Sequence, residues 1–315
     1  MTRMAYPRAT TTFLVLTLAC ALLFGAPRAQ QPSTVTWADW VEPDFPFFSS
    51  VLDAGRAGVL FPARNLTPRG LVLNLGRDYW IGFDTDLLRV AAIWQGKGVT
   101  PRALAPGSYL EPDRKTPGGQ SPLPEPNGTV WAANGIYPGW QGGADRPTLD
   151  DPREPAPTVA EVGRGPLPES LGKFKAVRLA GKGVVLEYTV RGVTVREWMR
   201  TSDGPTPAIV RSIRLDPAGE PLWLMLGYAQ KGAFAVCRGN GETPVLEPLT
   251  AGADLGPVWT LKVPAHAAPV DVCVAISLPV RADAGTLQYE SIPTAAPAVR
   301  WSQEVTTKVT VSTSS

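Results

Sequence analysis

Short apolar runs separated by turn-forming residues dominate the chain after residue 69. They recur about every 8–12 residues, the spacing of consecutive strands in a sandwich or barrel. Only residues 46–57 offer one or two helical turns. The pattern predicts an all-β fold, an antiparallel β-sandwich that could extend to a large super-sandwich, with long Gly/Pro-rich loops. The predicted strands are 70–75, 79–83, 87–94, 128–133, 174–180, 184–190, 193–199, 209–215, 222–228, 233–237, 258–263 and 270–278.

One predicted hairpin can be examined residue by residue. If residues 191–192 form a two-residue turn, Tyr188 faces Val195 and Leu186 faces Glu197. That face is apolar except for Glu197, and an unpaired buried carboxylate is costly. We expect Glu197 to pair with an arginine at the edge of the core. The alternatives are an open sheet end or a bulge, and a perturbed carboxylate can also mark a functional site.

Residues 100–170 differ in composition from the rest of the chain, because they hold 14 of the 33 prolines and 10 of the 31 glycines. We expect long ordered loops that lie across a sheet. Flat aromatic faces bind the apolar faces of sugars, while Asn and Gln add directional hydrogen bonds. The competing interpretation is that a Gly/Pro loop needs buried aromatic side chains to stay folded. The candidate ligand-binding residues are Trp131, Asn134, Tyr137, Trp140 and Gln141.

Carboxylate pairs are the candidate catalytic groups, because two carboxylates are all that glycoside hydrolysis requires. The available pairs are Asp84 with Asp86, Asp150 with Asp151, and Glu187 with Glu197. A candidate acidic site is formed by Asp84, Asp86 and Glu197, although Asp84 and Asp86 are more simply explained as turn formers. Calcium could bind at either aspartate pair, since oxygen ligands suffice, but the chain has no EF-hand loop.

Other catalytic motifs are missing from the sequence. The single histidine, His266, lies between two predicted strands, and there is no G-x-S-x-G, HExxH or metal-spaced Cys/His set. No C-x-x-C-H sequence is present to attach a c-type haem, so we expect no cofactor and no metal. We therefore expect a non-catalytic β-rich module that binds carbohydrate or a partner domain. A carbohydrate-active enzyme that uses a carboxylate pair is the alternative.

The N-terminal sequence predicts export to the periplasm or the extracellular space. Arg3 and Arg8 precede an apolar run, residues 12–26, that is too short to span a bilayer with ease, and the small Ala29 follows. Lipid modification at Cys20 is the alternative, and no later segment is long and apolar enough to span a membrane. The expected domains are residues 1–29 as the signal peptide, 30–307 as a single β-sandwich-like domain and 308–315 as a C-terminal tail.

Removal of the signal peptide changes the charge and cysteine content. Loss of Arg3, Arg8 and Arg28 would leave 27 basic against 28 acidic residues, a net charge of −1 instead of +2. No Lys/Arg cluster follows, so nucleic acid is not expected as a partner. Cys237 and Cys273 would remain in an oxidising compartment. They could pair, but two cysteines make no disulfide framework, and we expect two free thiols.

Five segments resemble an uncharacterised family of bacterial domains. They are residues 44–53, 65–70, 83–94, 134–140 and 162–168. This family occurs near the N-terminus of large exported proteins, often ahead of a propeller-like sugar-dehydrogenase region and a c-type cytochrome domain. The resemblance covers about residues 36–307 and brings no established activity. It implies a domain of unknown function, with a separately encoded propeller or cytochrome protein as a candidate partner besides a glycan.

The chain also departs from the pattern of that family. Similar chains continue past a segment like residues 301–307 into the propeller, whereas this one stops eight residues later. We therefore expect either a stand-alone copy or the product of a truncated gene. The domains that neighbour this family imply a redox role, but this chain contains no haem-attachment motif.

Overall fold

The structure is a computed structural model that describes residues 45–100, 123–155, 163–181, 183–203, 207–229, 233–237, 244–250, 255–277 and 289–293. These residues contain fifteen strands and no helix. Accordingly, the described part of the chain offers no helix that could cross a membrane. The predicted signal peptide and C-terminal tail lie outside the described residues.

The strands are distributed along the whole described chain. They are β1 Phe47–Asp53, β2 Leu66–Asn74, β3 Tyr79–Asp84, β4 Arg89–Val99, β5 Pro126–Ala133, β6 Trp140–Gly142, β7 Gly172–Ala180, β8 Gly183–Val190, β9 Val193–Thr201, β10 Ile209–Leu215, β11 Leu222–Ala229, β12 Phe234–Val236, β13 Val245–Leu249, β14 Val258–Val263 and β15 Val270–Ile276.

The strands form two antiparallel sheets whose inner faces share one core. The larger sheet has the order β1-β2-β3-β4-β5-β11-β14-β13, and β6 also pairs with β11. The smaller sheet has the order β12-β15-β10-β9-β8-β7. Ile81 and Phe83 from the larger sheet share the core with Leu186 and Tyr188 from the smaller one. The fold is therefore the predicted all-β antiparallel sandwich.

The β8–β9 hairpin has the predicted register. Arg191 and Gly192 form its turn with φ angles of 48° and 84°, left-handed values that suit a two-residue hairpin turn. Leu186 pairs with Glu197, and the inner face therefore carries this carboxylate. Glu187 lies on the opposite face, because side chains alternate along a strand.

The first strand corrects one prediction. Residues 46–57 were expected to hold helical turns, but Phe47–Asp53 form β1, which pairs with β2 along its length. An unpaired β2 would expose a row of backbone hydrogen-bonding groups, and β1 satisfies them. Two short strands, β6 and β13, were not predicted, because β6 has a single apolar residue and a proline interrupts β13.

Cys237 and Cys273 form a disulfide, so the expectation of two free thiols is wrong. Cys237 directly follows β12, and its amide donates a hydrogen bond of 2.9 Å to the carbonyl of Cys273 on β15. Their Cα atoms lie 4.9 Å apart, within the range that a disulfide requires. The pairing of β12 with β15 joins residues 36 positions apart, which the sequence pattern does not reveal.

Candidate functional site

The candidate aromatic residues lie around a short excursion of the chain between two strands. β5 ends at Ala133 and β6 begins at Trp140, and both strands pair with β11. Residues 134–139 therefore leave the larger sheet after β5 and rejoin it at β6, beside the same strand β11. We call residues 134–139 the aromatic loop.

Asn134 holds the aromatic loop from the inside. Its Nδ2 donates to the carbonyls of Val90, at 2.9 Å, and Met225, at 3.2 Å. Its Oδ1 accepts a hydrogen bond of 2.9 Å from the hydroxyl of Tyr137. Asn134 is completely buried, and burial raises the pKa of Tyr137, which keeps this phenol protonated as a donor. The amide is thus committed to the fold.

The aromatic side chains of this region are covered by protein. Trp131, Tyr137 and Trp140 are each at most 3% exposed. The ring of Trp131 packs edge-on against Tyr79 at 5.1 Å between centroids. Nε1 of Trp140 donates a hydrogen bond of 3.0 Å to the hydroxyl of Tyr188 in the smaller sheet. This arrangement corresponds to the interpretation of these residues as buried anchors of a Gly/Pro-rich segment.

Glu197 is paired with an arginine, as expected. Nε of Arg211, on the neighbouring strand β10, donates to Oε1 of Glu197 at 2.6 Å. The hydroxyl of Tyr188 donates to Oε2 at 2.8 Å. Burial, together with the negative charge of Glu197, raises the pKa of Tyr188 well above its usual value. Trp140, Tyr188, Glu197 and Arg211 therefore form one buried chain of hydrogen bonds between the two sheets.

Asp84 forms the predicted turn. Its Oδ1 accepts hydrogen bonds from the backbone N–H groups of Asp86, at 2.9 Å, and Leu87, at 3.2 Å. Its Oδ2 accepts a hydrogen bond of 3.1 Å from Nε of Arg89. Asp86 is paired separately with Arg69. Burial raises the pKa of Asp86, and the contact with Arg69 opposes that rise.

Arg89 connects this turn to the aromatic loop. Its side chain is fully buried, and Nη1 donates to Oδ1 of Asn65 at 2.8 Å. The same nitrogen reaches the carbonyls of Asn134, at 3.2 Å, and Gly135, at 2.5 Å. Arg89 was not recognised as a site residue from the sequence. The available signal was a basic residue at the start of an otherwise apolar strand, immediately after an aspartate turn.

The three acidic candidates do not form a joint site. Asp84, Asp86 and Glu197 each belong to a different arginine pair. Glu187 and Glu197 lie on opposite faces of their hairpin, and Glu187 is paired with Arg178 at 2.8 Å. Within the described ranges, no group of three or more His, Cys, Asp or Glu side chains is placed to hold a metal ion.

A half-open cavity of about 200 Å³ lies beside the aromatic loop. It contains two of the predicted ligand-binding residues, whereas Trp131, Asn134 and Tyr137 do not line it. Its wall combines apolar and hydrogen-bonding groups from both sheets. Its lining includes Trp140, Gln141, Thr148, Asp150, Leu171 and Arg191.

Gln141 stabilises one rim of this cavity. Its Nε2 donates to the carbonyl of Thr148 at 2.8 Å, and its Oε1 accepts from the amide of Thr148 at 2.9 Å. The side-chain amide thus replaces a backbone partner and ties the segment after β6 in place. Its hydrogen-bonding groups are engaged by Thr148.

Asp151 stabilises the opposite side of the same segment. Its two oxygens accept hydrogen bonds of 2.9 Å from Nε and Nη2 of Arg153, whose Nη1 reaches the carbonyl of Gly165 at 2.6 Å. Burial alone would raise the pKa of Asp151, but the hydrogen bonds from Arg153 outweigh it and lower the pKa. The neighbouring Asp150 is exposed and has no hydrogen bond or ion pair with the described residues.

Arg191 reaches the cavity from the β8–β9 turn. Its Nε pairs with Glu220, and its side chain lies against Gly142. A Cβ at position 142 would stand 2.1 Å from Cδ of Arg191, so a larger residue there would displace this side chain. The left-handed φ of Arg191 is unusual for a residue with a long side chain. Neither Arg191 nor Gly142 was recognised as a site residue from the sequence.

Residues 81–197 match a family model described as a domain of unknown function, DUF6797. The match covers little more than a third of the chain and runs from β3 into β9. It includes the aromatic loop, Asp150, Arg191 and Glu197. No curated protein and no solved structure matches the chain. The match agrees with the resemblance to an uncharacterised domain family and assigns no activity.

Proposed function

We propose that the protein is an exported, non-catalytic module that binds carbohydrate. The observation that supports this proposal is the half-open cavity beside the aromatic loop, where an unpaired carboxylate and a guanidinium stand next to apolar side chains. Sugar sites combine these elements, since hydroxyl groups need hydrogen-bond partners and the ring's C–H faces need apolar contact.

The state of the acidic candidates argues against a hydrolase. Glycoside hydrolysis needs one carboxyl group that protonates the leaving oxygen and a second that acts across the scissile bond. Asp84, Asp86 and Glu197 are almost completely buried, and each is held by an arginine. In the remaining pair, Asp151 is engaged at both oxygens by Arg153, which leaves only Asp150 free. The paired groups are committed to structural ion pairs and are not placed as two carboxyls around one substrate.

Binding to insoluble polysaccharides tests the proposed function. The mature chain would be mixed with cellulose, chitin and xylan, and both its depletion from the supernatant and the release of reducing ends would be measured. We expect retention on at least one polysaccharide without release of reducing ends. A β-sandwich of similar size and charge with no affinity for sugars is the control. Release of reducing ends would favour the enzyme, and no retention on any of the three would refute carbohydrate binding.

Docking onto a separately encoded propeller or cytochrome protein is a second candidate function. It is favoured by two adjacent apolar side chains in the loop after β1, because Val59 is 91% exposed and Leu60 is 52% exposed. If this loop docks, replacement of both residues by Asp should abolish co-elution with such a protein and leave polysaccharide retention unchanged.

Export is part of the proposal and can be tested directly. N-terminal sequencing of the secreted protein should begin near residue 30. Recovery of the chain with an intact Met1 from the cytosol would contradict export.

A further inference from the structure

We propose that the cavity beside the aromatic loop binds one neutral hexopyranose unit, with Asp150 as hydrogen-bond acceptor and Arg191 as donor. This inference rests on the carbohydrate binding proposed above and assigns its site and its preferred ligand charge. Three features of the cavity support this assignment: its rim is rigid, Asp150 and Arg191 have free hydrogen-bonding groups, and a carboxylate lines it.

The rim that carries Asp150 is fixed on both sides. Gln141 and Thr148 form two reciprocal hydrogen bonds of 2.8 and 2.9 Å on one side. Asp151 and Arg153 form a two-point ion pair on the other, with both contacts at 2.9 Å. A group held in its binding position loses little conformational entropy when a ligand arrives, so such a rim favours binding.

Asp150 has free acceptor capacity in this fixed rim. Its carboxylate has no hydrogen-bond or ion-pair partner among the described residues, while its neighbour Asp151 is fully engaged by Arg153. An ionised carboxylate offers two oxygens that accept hydrogen bonds. Two adjacent hydroxyl groups of a sugar ring can donate to such a pair of oxygens.

Arg191 supplies the complementary donors. Glu220 engages its Nε, and its two Nη groups have no hydrogen-bond partner among the described residues. The residue occupies a turn position with φ of 48°, where glycine or asparagine would be unstrained. This φ is the value that the first position of a two-residue hairpin turn requires, so the turn fixes where the side chain begins. Here Gly142 and Glu220 hold the side chain in place.

The size and charge of the cavity narrow the ligand class. Its volume of about 200 Å³ is below the roughly 300 Å³ of the smallest drug-sized pockets, which suits a single ring. Leu171 and Trp140 line the cavity and provide apolar contact for the C–H face of that ring. The cavity is lined by one carboxylate, Asp150, and one cation, Arg191, and Arg191 is already paired with Glu220 outside the lining. The carboxylate of Asp150 therefore favours a neutral sugar over a uronic acid.

Titration followed by amide NMR spectra tests the site. The mature chain would be titrated with the methyl pyranosides of glucose, galactose and mannose, and separately with glucuronate. For at least one neutral sugar we expect shifts confined to the amides of Gln141, Thr148, Asp150 and Arg191, with a Kd on the order of 1 mM for a ligand of this size. Glucuronate should bind at least ten times more weakly.

Three variants provide the controls. Asp150→Asn should weaken binding at least fivefold. Arg191→Gly should do the same while retaining the turn, because glycine adopts the left-handed φ without strain. Asp145→Asn removes an exposed carboxylate of the same segment that does not line the cavity and should leave the Kd unchanged.

The outcomes separate this inference from the proposed function. Retention on a polysaccharide without shifts at the four amides would overturn the site and leave carbohydrate binding standing. Glucuronate binding as tight as that of the neutral sugars, or an unchanged Kd in both Asp150→Asn and Arg191→Gly, would also overturn the assignment. Failure of retention on every polysaccharide, together with no amide shift for any of the sugars, would overturn both proposals.

Discussion

Arg89 and Arg211 are almost completely buried, and each lies against a carboxylate. Burial of two charges is costly, and the cost is offset only when geometry is good and the remaining donors find partners. Arg89 meets this condition through Asn65 and two backbone carbonyls of the aromatic loop. Asp84 and Glu197, two of the carboxylates that the sequence suggested as catalytic groups, therefore form structural ion pairs within the sandwich.

Glu197 also shows what can be predicted for a single residue. The hairpin register places this residue on an apolar face, and the rule against unpaired buried charge then requires a partner. The register does not say which arginine pairs with it, because Arg211 lies on β10 and the pairing of β9 with β10 is not encoded in the hairpin. Arg89 was missed for the same reason, since its partners Asn65, Asp84 and Asn134 come from three separate segments.

Removal of Arg211 should expose the dependence of Glu197 on its partner. Arg211→Met leaves a buried carboxylate with only the Tyr188 hydroxyl beside it, and we expect a loss of about 3–5 kcal/mol in the free energy of unfolding. The double variant Arg211→Met/Glu197→Leu removes both charges and should recover most of that loss. Urea unfolding followed by tryptophan fluorescence measures both values. A single variant as stable as the wild type would show that the pair contributes no stability.

Asp151 should make part of the stability dependent on pH. Because its pKa is lowered in the fold from an ordinary value of 3.8, its stabilising contribution is present above pH 3.8 and is lost as the pH falls through the lowered pKa. Asp151→Asn should therefore reduce the free energy of unfolding by about 2 kcal/mol at pH 7, the range for hydrogen bonds to charged groups. The difference should shrink at pH 3.

The neighbouring residue provides a matched control for this experiment. Asp150→Asn changes the same type of side chain one position earlier, where no described partner depends on it. It should alter the unfolding free energy little at either pH. An Asp151→Asn deficit that persists unchanged at pH 3 would contradict the role of the ionised carboxylate.

At the scale of secondary structure, local patterns predicted twelve of the fifteen strands but not the pairing of strands that are distant in sequence. β10 and β14 have the predicted bounds, because each is an apolar run with turn residues on both sides. The helical turns expected at residues 46–57 are wrong because a cross-strand partner, β2, determines the conformation there. The pairings of β5 with β11 and of β12 with β15 join segments far apart in sequence, and no local rule indicates them.

The disulfide is a consequence of one such distant pairing. We expect thiol titration of the denatured, non-reduced mature chain to detect no free thiol. Reduction should lower the free energy of unfolding by about 3–4 kcal/mol, because the bridge closes a loop over a sequence separation of 36. Cys237→Ser/Cys273→Ser without reductant is the control and should match the reduced protein. Detection of two thiols per chain would contradict the bridge.

At the scale of the whole molecule, the two sheets meet at the place where the cavity opens. β6 of the larger sheet contributes Trp140 and Gln141, and the β8–β9 turn of the smaller sheet contributes Arg191. The hydrogen bond from Trp140 to Tyr188 joins the sheets directly beneath this opening. A ligand in the cavity would contact both sheets, so its affinity should depend on their relative position.

The buried aromatic side chains near this junction contribute a large part of the stability of the sandwich. Replacement of a buried aromatic residue by alanine costs about 3–5 kcal/mol, and total stability is typically only about 5–15 kcal/mol. Trp140→Ala would also remove the hydrogen-bond donor to Tyr188 and so interrupt the buried series of hydrogen bonds that leads to Glu197. We expect the double variant Tyr137→Ala/Trp140→Ala to be largely unfolded at 25 °C, as measured by circular dichroism and thermal melting.

Trp198 provides the matched control for this variant. It lies on the outward face of β9 and is only partly buried, so Trp198→Ala removes the same type of side chain without opening the core. We expect Trp198→Ala to retain the strand signal and a melting temperature within a few degrees of the wild type, since substitutions away from the core cost little. If the Tyr137/Trp140 double variant instead melted as late as Trp198→Ala, these two aromatic residues would not be core anchors. The hypothesis that they bind a glycan directly would then have to be tested in place of the cavity.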